Sequence, residues 1–348
     1  MTTTPPSPSD REERHTAIRA LTETYSGLPT GRRRQLLEEM IATCLKLGHD
    51  EADTGEFKLI NTAIKELRYS YSVFKPWEHK PKISIFGSAR TPEDHPDYLA
   101  AKQFGKLMGE AGWMSITGAG DGIMKAGVEG PGHEASFGLR IRLPFETTAN
   151  EVIATDPKLV NFTYFFTRKV MFVANSEAVA AFPGGFGTMD ELFETLTLIQ
   201  TGKAQPMPVV VIEGEGGTYW DIWKEFVERE LLDNGWISRP DLSLVSFAKT
   251  PEEARDIVLH GYRVYHSSRK IRDQFVIRLK QPLDETQRLD LEDRFSGLAK
   301  DRKIHLSGPL EGEEEHLDLM RLHFTFVRRD FGVLRQLIDA VNDCGLPA

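Results

Sequence analysis

From Lys82 onward, short apolar runs alternate with helical stretches, and this alternation restricts the fold of the 348-residue chain more than any other feature. The runs are Ile83–Phe86, Trp113–Thr117, Phe137–Leu143, Ala178–Phe182, Val209–Ile212 and Leu242–Phe247, each bounded by glycine, proline or charge. Helical periodicity falls between them, near 98–111, 121–129, 164–175, 188–202, 217–233 and 251–260. Apolar strands without a polar alternate face need helices on both sides of the sheet. The pattern therefore predicts an α/β fold with a doubly wound, Rossmann-like parallel sheet over about 81–261. In such sheets ligands bind beyond the carboxyl ends of the strands, in the strand-to-helix loops.

The flanks read differently. Residues 1–9 form a polar, proline-bearing tail with the composition of a disordered segment. Over 10–80 the periodicity is helical, with Leu36, Leu37, Met40, Ile41, Cys44 and Leu45 on one face and Phe57, Ile60, Ala63, Ile64, Leu67 and Tyr71 on another. Gly31-Arg32-Arg33-Arg34 reads as a solvated helix start. Over 262–348 the order is strand (Phe275–Leu279), helix (Asp284–Lys300), two strands (Lys303–Leu306 and Leu319–Phe326) and helix (Phe331–Val341). That order predicts a small α+β module of ferredoxin-like type. The acidic run Glu311–Glu315 is placed at a loop tip.

Composition removes several classes of function. No run of about 20 apolar residues exists, so no membrane-spanning helix and no membrane partner are expected. A net charge of −9 argues against nucleic acid as a partner. Cys44 and Cys344, the only cysteines, make neither a disulfide framework nor a zinc site, and no metal is expected. The N-terminus lacks the basic and apolar regions of a secretory signal, so a cytoplasmic location is expected and the Asn161-Phe162-Thr163 glycosylation pattern carries no meaning.

Chemistry concentrates in two glycine-rich loops. Pro183-Gly184-Gly185-Phe186-Gly187-Thr188-Met189-Asp190-Glu191 follows the run Ala178–Phe182 and opens a helical stretch. Glycines let a ligand approach the backbone, and the helix start presents free N–H groups and a positive dipole end, which together suit a phosphate. The same residues admit a plainer reading, because Thr188-x-x-Glu191 fits a capping box in which Glu191 reaches back to the Thr188 N–H. The second loop, Thr117-Gly118-Ala119-Gly120-Asp121-Gly122-Ile123-Met124, also lies between strand and helix and would form another wall of one pocket. A dinucleotide fingerprint is missing, since the first turn is Gly87-Ser88-Ala89-Arg90 and position 123 is not glycine. No phosphate-loop, H-E-x-x-H or G-x-S-x-G motif occurs. Thr167-Arg168-Lys169 precedes the glycine-rich strand; as an Arg-Lys pair it reads as surface, or as cations reaching a phosphate on the next loop. His95 and His133 read as structural or solvent-facing.

Arg168-Lys169 followed by Pro183-Gly184-Gly185-Phe186-Gly187-Thr188-x-x-Glu191 resembles the Lonely Guy (LOG) family, cytokinin riboside 5'-monophosphate phosphoribohydrolases often labelled lysine decarboxylase-like. The family signature is P-G-G-x-G-T-x-x-E with an arginine upstream, and here Arg168 precedes Glu191 by 23 residues. Gly118–Met124 and Phe86-Gly87-Ser88 resemble the family's other two loops, and the likeness covers about 82–260. The chain departs from short members in having Gly118-Ala119-Gly120 in place of a glycine triplet, and it carries extra residues at both ends. In that respect it resembles longer bacterial members, in which the segment Gly138-Leu139-x-Ile141-x-Leu143-Pro144-Phe145-Glu146, with Asn150 after it, recurs.

The resemblance implies hydrolysis of the N-glycosidic bond of a nucleoside 5'-monophosphate, a cytokinin riboside monophosphate or an AMP-like nucleotide, to free base and ribose 5-phosphate. It makes Arg168 and Glu191 the catalytic residues, with Gly184, Gly185, Gly187, Thr188, Gly118 and Gly120 on the substrate phosphate and Ser88, Lys169 and Met124 elsewhere in the pocket. The reacting bond is not at phosphorus, so no cofactor is called for. Decarboxylation by pyridoxal chemistry would need a Schiff-base lysine, and neither glycine loop has one; Lys125 and Lys169 are the nearest. Members of the family are dimers with sites at the subunit interface, so a homodimer or larger homo-oligomer is expected, with Phe165, Phe166, Val170, Met171 and Val173 of the 164–175 helix at the interface. The module at 262–348 is expected to serve regulation or assembly. The alternative is a non-enzymatic nucleotide sensor using the same pocket.

Overall fold

Three helices precede the first strand: α1 (Pro8–Tyr25), α2 (Arg32–His49) and α3 (Thr54–Phe74). The computed structural model describes residues 8–143 and 148–345. Residues 1–7 of the expected tail, and Pro144, Phe145 and Glu146 of the recurrent bacterial segment, lie outside the described residues. One compact unit ends at Glu66, within α3, and a second runs from Leu67. In the first, α2 starts at Arg32 after Gly31, and Arg32 pairs with Glu39 at 3.0 Å. Thr22 on α1 donates to Glu38 on α2 at 3.1 Å.

The second unit holds two sheets. The larger has strands β1 (Lys82–Phe86), β2 (Met114–Thr117), β3 (Ser136–Ile141), β4 (Leu159–Phe162), β5 (Ala178–Ala181), β6 (Val209–Ile212) and β7 (Ser246–Ala248), in the order β4-β3-β2-β1-β5-β6-β7. Every pair is parallel. Helices α4 (Pro96–Glu110), α5 (Ile123–Glu129), α6 (Phe165–Ala174), α7 (Phe186–Gln200) and α8 (Tyr219–Phe226) lie between the strands in the chain, and α9 (Pro251–His260) follows β7. Two apolar layers lie against the sheet. One contains Phe86, Phe137, Phe172 and Leu192, the other Ile83, Phe104, Ile123 and Phe182. This is the doubly wound arrangement that the alternation predicts. The chain order reverses between β1 and β5, so the loops after these two strands diverge and leave a crevice.

Three details depart from the sequence reading. Strand β4 is an edge strand with alternating burial, and its polar Asn161 hid it. The expected strand at 242–247 is instead a 3₁₀ turn, Arg239–Leu244, followed by β7. A capping box between Ser238 and Asp241, with Pro240 in the first turn, favours the turn there. The helix expected over 217–233 ends as α8 and continues as a π-helical segment, Val227–Leu232.

The smaller sheet is antiparallel and four-stranded, with β8 (Tyr265–Ile271), β9 (Gln274–Leu279), β10 (His305–Ser307) and β11 (Met320–Thr325) in the order β10-β11-β9-β8. Helices α10 (Glu285–Phe295) and α11 (Phe331–Asp343) supply Leu291, Leu334 and Ile338 to its core. The predicted β-α-β-β-α order is present, and β8, too polar to read as a strand, sits beside β9 where the last strand of a ferredoxin-like fold would lie. Helix α11 is fastened to the large sheet's side of the unit, with Arg335 donating to the Pro206 carbonyl at 2.8 Å and Phe331 seated against Gly202 just beyond α7.

The acidic run is more than a loop tip. Glu313 is buried between Arg278 (3.0 Å) and the fully buried Arg321 (2.8 Å). Burial alone would raise its carboxyl, but the Arg321 guanidinium, the Leu310 N–H (2.9 Å) and the Arg278 guanidinium together hold it down to about 2. Because the folded-state value is depressed below the usual 4.5, the stabilisation is complete above that pH and is lost as pH falls from 4.5 towards 2. Replacing Glu313 by Ala removes the one buried carboxylate that Arg278 and Arg321 share and is expected to cost about 3–5 kcal/mol in urea denaturation of the full chain at pH 7. A loss well under 1 kcal/mol would contradict this placement.

Candidate active site

The crevice at the strand-order reversal is a cavity of about 770 Å³. Its walls are the loops after β1, β2 and β5, together with α6 and the start of α7. The β1 and β5 loops are zipped together: the Phe182 N–H donates to the Phe86 carbonyl (2.8 Å) and the Ser88 N–H to the Pro183 carbonyl (3.1 Å). The Ile123 N–H then donates to the Ser88 carbonyl (3.0 Å), tying in the second glycine loop.

Each glycine of the Pro183–Gly187 loop has its own reason. A Cβ at Gly184 would lie 2.1 Å from Thr188 Oγ1 and 3.0 Å from the Ser88 amide nitrogen, so the fold itself requires glycine there. Gly184 also presents its carbonyl to the Tyr219 hydroxyl, which donates to it at 2.6 Å. At Gly185 and Gly187 a Cβ would meet no atom of the described residues within 4 Å, and neither residue has positive φ. Nothing among the described residues demands glycine at these two positions, and both border the cavity.

Helix α7 starts at Phe186 with Gly185 as its N-cap and no side-chain capping bond. The amides of Thr188 and Met189 both return to the Gly185 carbonyl at 3.1 Å. The capping box considered for Thr188 and Glu191 is therefore not formed: Thr188 lies inside the first turn, and Glu191 is free of the box role. Of the first-turn N–H groups, those of Phe186 and Gly187 are left without an intrahelical partner, and the bare Gly185 and Gly187 leave them open to the cavity.

Glu191 lines the cavity and is 6% exposed. Burial pushes its carboxyl up to about 7, while Arg168 and, more weakly, Lys169 pull it down. The Arg168 guanidinium stacks over Phe165 at 5.4 Å and Phe172 at 5.5 Å, and its Nη1 lies 3.8 Å from where a Gly118 Cβ would be. Ser88, Gly118 and Met124 are on the wall with Gly184, Gly185, Gly187 and Thr188. Two expected pocket residues lie elsewhere. Lys169 is held by Asp190 and Glu194, each at 2.9 Å, because α6 and α7 run side by side here; it acts on Glu191 only through its charge. Gly120 is buried behind the wall, with its carbonyl taken by Asn150. Sequence reasoning missed Tyr219, whose link to Gly184 spans 35 positions and has no local signature. His95 caps α4 by accepting from the Asp97 N–H at 3.1 Å, in keeping with a structural role.

A family model described as "Possible lysine decarboxylase" matches residues 119–258. A protein from Archaeoglobus fulgidus, named only "Uncharacterized protein", is 30% identical over 139 residues, 38% of this chain and 84% of that protein. The chain belongs to the LOG, or lysine decarboxylase-like, family. It is 28% identical to the rice "Probable cytokinin riboside 5'-monophosphate phosphoribohydrolase LOGL5" over 180 residues, 49% of this chain and 69% of that one. It is also 28% identical to the Escherichia coli "Pyrimidine/purine nucleotide 5'-monophosphate nucleosidase" over 149 residues, 40% of this chain and 33% of that one. The chain thus spans about a third of the E. coli protein, and 44% of a second rice relative. Among solved structures, the molybdenum cofactor binding protein of Rippkaea orientalis is similar at 23% identity and a TM-score of 0.38, covering 52% of this chain and 96% of that one. No described helix is long and apolar enough to cross a membrane.

The glycine geometry makes a paired prediction. Gly184→Ala should lower thermal stability, by about 1–3 kcal/mol, because its methyl must displace Thr188 or the β1 loop. Gly187→Ala, in a helix turn with room for a methyl, should leave stability unchanged or raise it by up to about 1 kcal/mol. Thermal denaturation of both variants checks this, and equal losses in the two would contradict it.

Proposed function

We propose that this chain hydrolyses the N-glycosidic bond of nucleoside 5'-monophosphates. Water adds to the anomeric carbon, the base leaves with a proton, and ribose 5-phosphate remains. The observation that carries this reading is the buried Glu191 carboxyl beside Arg168, next to a helix start whose glycines leave room for a phosphate. The 5'-phosphate would sit on the first-turn amides of α7, held by Gly184, Gly185, Gly187 and Thr188. Departure of the base builds positive charge on the ribose, and the ionised Glu191, in a desolvated wall, stabilises it far more than an exposed carboxylate would. Glu191 also orients the attacking water. Arg168 holds the sugar–phosphate and keeps Glu191 ionised often enough to act at neutral pH. The names of the rice and E. coli relatives support this reaction class.

Schiff-base chemistry suits the site less well. An amine nucleophile needs a lowered pKa. Lys125 is instead held protonated by Glu93 (2.7 Å) and Glu151 (3.0 Å), and Lys169 by its two carboxylates. Both lysines are shifted upward.

A two-fold pair or larger assembly is part of the proposal. Phe165, Phe166 and Val170 on α6 are each about half exposed, and Phe186 beside the glycine loop is 97% exposed. Such aromatic surface at the cavity mouth fits a second copy of the chain.

The test is product analysis with a panel of purine and pyrimidine monophosphates and the matching nucleosides, on protein sized by light scattering. Free base and ribose 5-phosphate are expected from the monophosphates, poor turnover from the nucleosides, and no active monomer. Glu191→Gln keeps the shape and removes the charge, so turnover should fall about 100-fold or more with substrate binding little changed. Binding of monophosphates without cleavage would favour a nucleotide-binding sensor. Near-normal turnover of the Gln variant would remove Glu191 from the mechanism.

A further inference from the structure

Ala119 has a φ of +62°, in the left-handed region that costs an alanine and costs a glycine nothing. It is fully buried and lies in the loop that carries Gly118, one wall of the cavity. Something must hold it there. The Asn150 N–H donates to the Ala119 carbonyl at 2.9 Å, and Asn150 Nδ2 donates to the Gly120 carbonyl, also at 2.9 Å. Two successive carbonyls are thus pinned by one residue 30 positions downstream. Asn150 is 5% exposed, and its Oδ1 has no hydrogen-bond partner among the described residues. A buried acceptor left unsatisfied is destabilising, so the Nδ2 bond to Gly120 is kept at a cost. Asn150 is itself anchored, because its carbonyl accepts from the Ile153 (3.3 Å) and Ala154 (3.0 Å) amides.

What the pinned turn controls lies one residue back. Gly118 is packed so closely that an added Cβ would lie 2.5 Å from Met124 Sδ and 3.8 Å from Arg168 Nη1. A change in the Ala119 or Gly120 peptide plane therefore shifts the stretch of wall that faces the Arg168 guanidinium.

We propose that Asn150 is a positioning residue: it holds the left-handed Ala119 turn and, through Gly118, sets where Arg168 stands in the site. The catalytic part of this inference rests on the hydrolase reading above; the structural part does not. Asn150→Ala keeps the N–H bond to the Ala119 carbonyl and removes the Nδ2 bond to the Gly120 carbonyl, so the side-chain bond makes the specific demand. If Asn150 serves to hold a strained turn, a glycine at 119 should make it partly dispensable. If Asn150 merely packs the 148–154 turn, glycine at 119 should do nothing for its loss.

The experiment is a double-mutant cycle of Asn150→Ala and Ala119→Gly in the full chain, read in thermal stability and in turnover of a nucleoside monophosphate. Asn150→Ala is expected to lower kcat by about 10-fold or more and Tm by several degrees, while Ala119→Gly alone stays within about 2-fold, its relief of strain offsetting a lost buried methyl. The double variant should recover to within about 3-fold of wild-type kcat and regain most of the lost Tm. Additive losses, or a double variant that does not fold, overturn the proposal. If Asn150→Ala alone fails to fold, a folded double variant supports it. If wild type cleaves no monophosphate, the hydrolase reading fails by itself, and the stability cycle still decides the role of Asn150: coupling supports it and additivity overturns it.

Discussion

The burial of the Glu191 carboxyl against α6 is the interaction on which the rest of the site depends. A carboxyl raised from 4.5 to about 7 is held in an environment that disfavours its charge. The folded chain then binds more protons than the unfolded one between these values, so this group removes stability as pH rises through that window. The cost is on the order of 3 kcal/mol at neutral pH, a large share of a typical folding free energy. A residue this costly in the fold is where function is expected to lie. Arg168 limits the cost, and its own charge is accommodated between two phenyl rings.

The surrounding structure is arranged to keep that pair in place. Lys169, next to Arg168 in sequence, joins α6 to α7 through Asp190 and Glu194, the neighbours of Glu191 on the facing helix. The two helices are thus clamped at the level where the carboxyl is buried. The β1 and β5 loops are zipped by backbone bonds, and Tyr219 fixes the carbonyl of Gly184 from the side of α8. At its far end α7 meets the C-terminal module, where Phe331 sits against Gly202. The helix that opens on the cavity is therefore held at both ends by contacts far apart in sequence.

How much of this could be read from the chain follows from the range of each interaction. The parallel sheet was legible because strand and helix periodicities are local, and the glycine loop was legible because Pro183–Glu191 is contiguous. The plainer of the two readings of the loop does not hold: Thr188-x-x-Glu191 looks like a capping box, but the helix starts at Phe186 with Gly185 as its N-cap. Lys169 was expected in the pocket because it adjoins Arg168, yet one step along a helix turns a side chain to another face. Tyr219, Asn150 and Glu313 owe their roles to partners brought together only by folding; Asn150 stands out in sequence only beside the recurrent segment and Glu313 only within the acidic run, and neither context names a partner. Strand β8 was missed for a related reason, since its pairing with β9 supplies the order that Tyr-His-Ser-Ser-Arg-Lys-Ile does not show.

The most direct test of the central claim is the dependence of kcat on pH for wild type and the Glu191→Gln variant with the same monophosphate. If the buried carboxylate stabilises the developing ribose cation, wild-type kcat must rise with pH along a limb set by Glu191 in the complex, a carboxyl that burial raises to about 7 in the free chain. The residual activity of the Gln variant must lack that limb, whereas any limb due to the substrate's own phosphate would persist in both. A wild-type profile that is flat from about pH 5.5 to 8, or a limb unchanged in the Gln variant, would contradict the account.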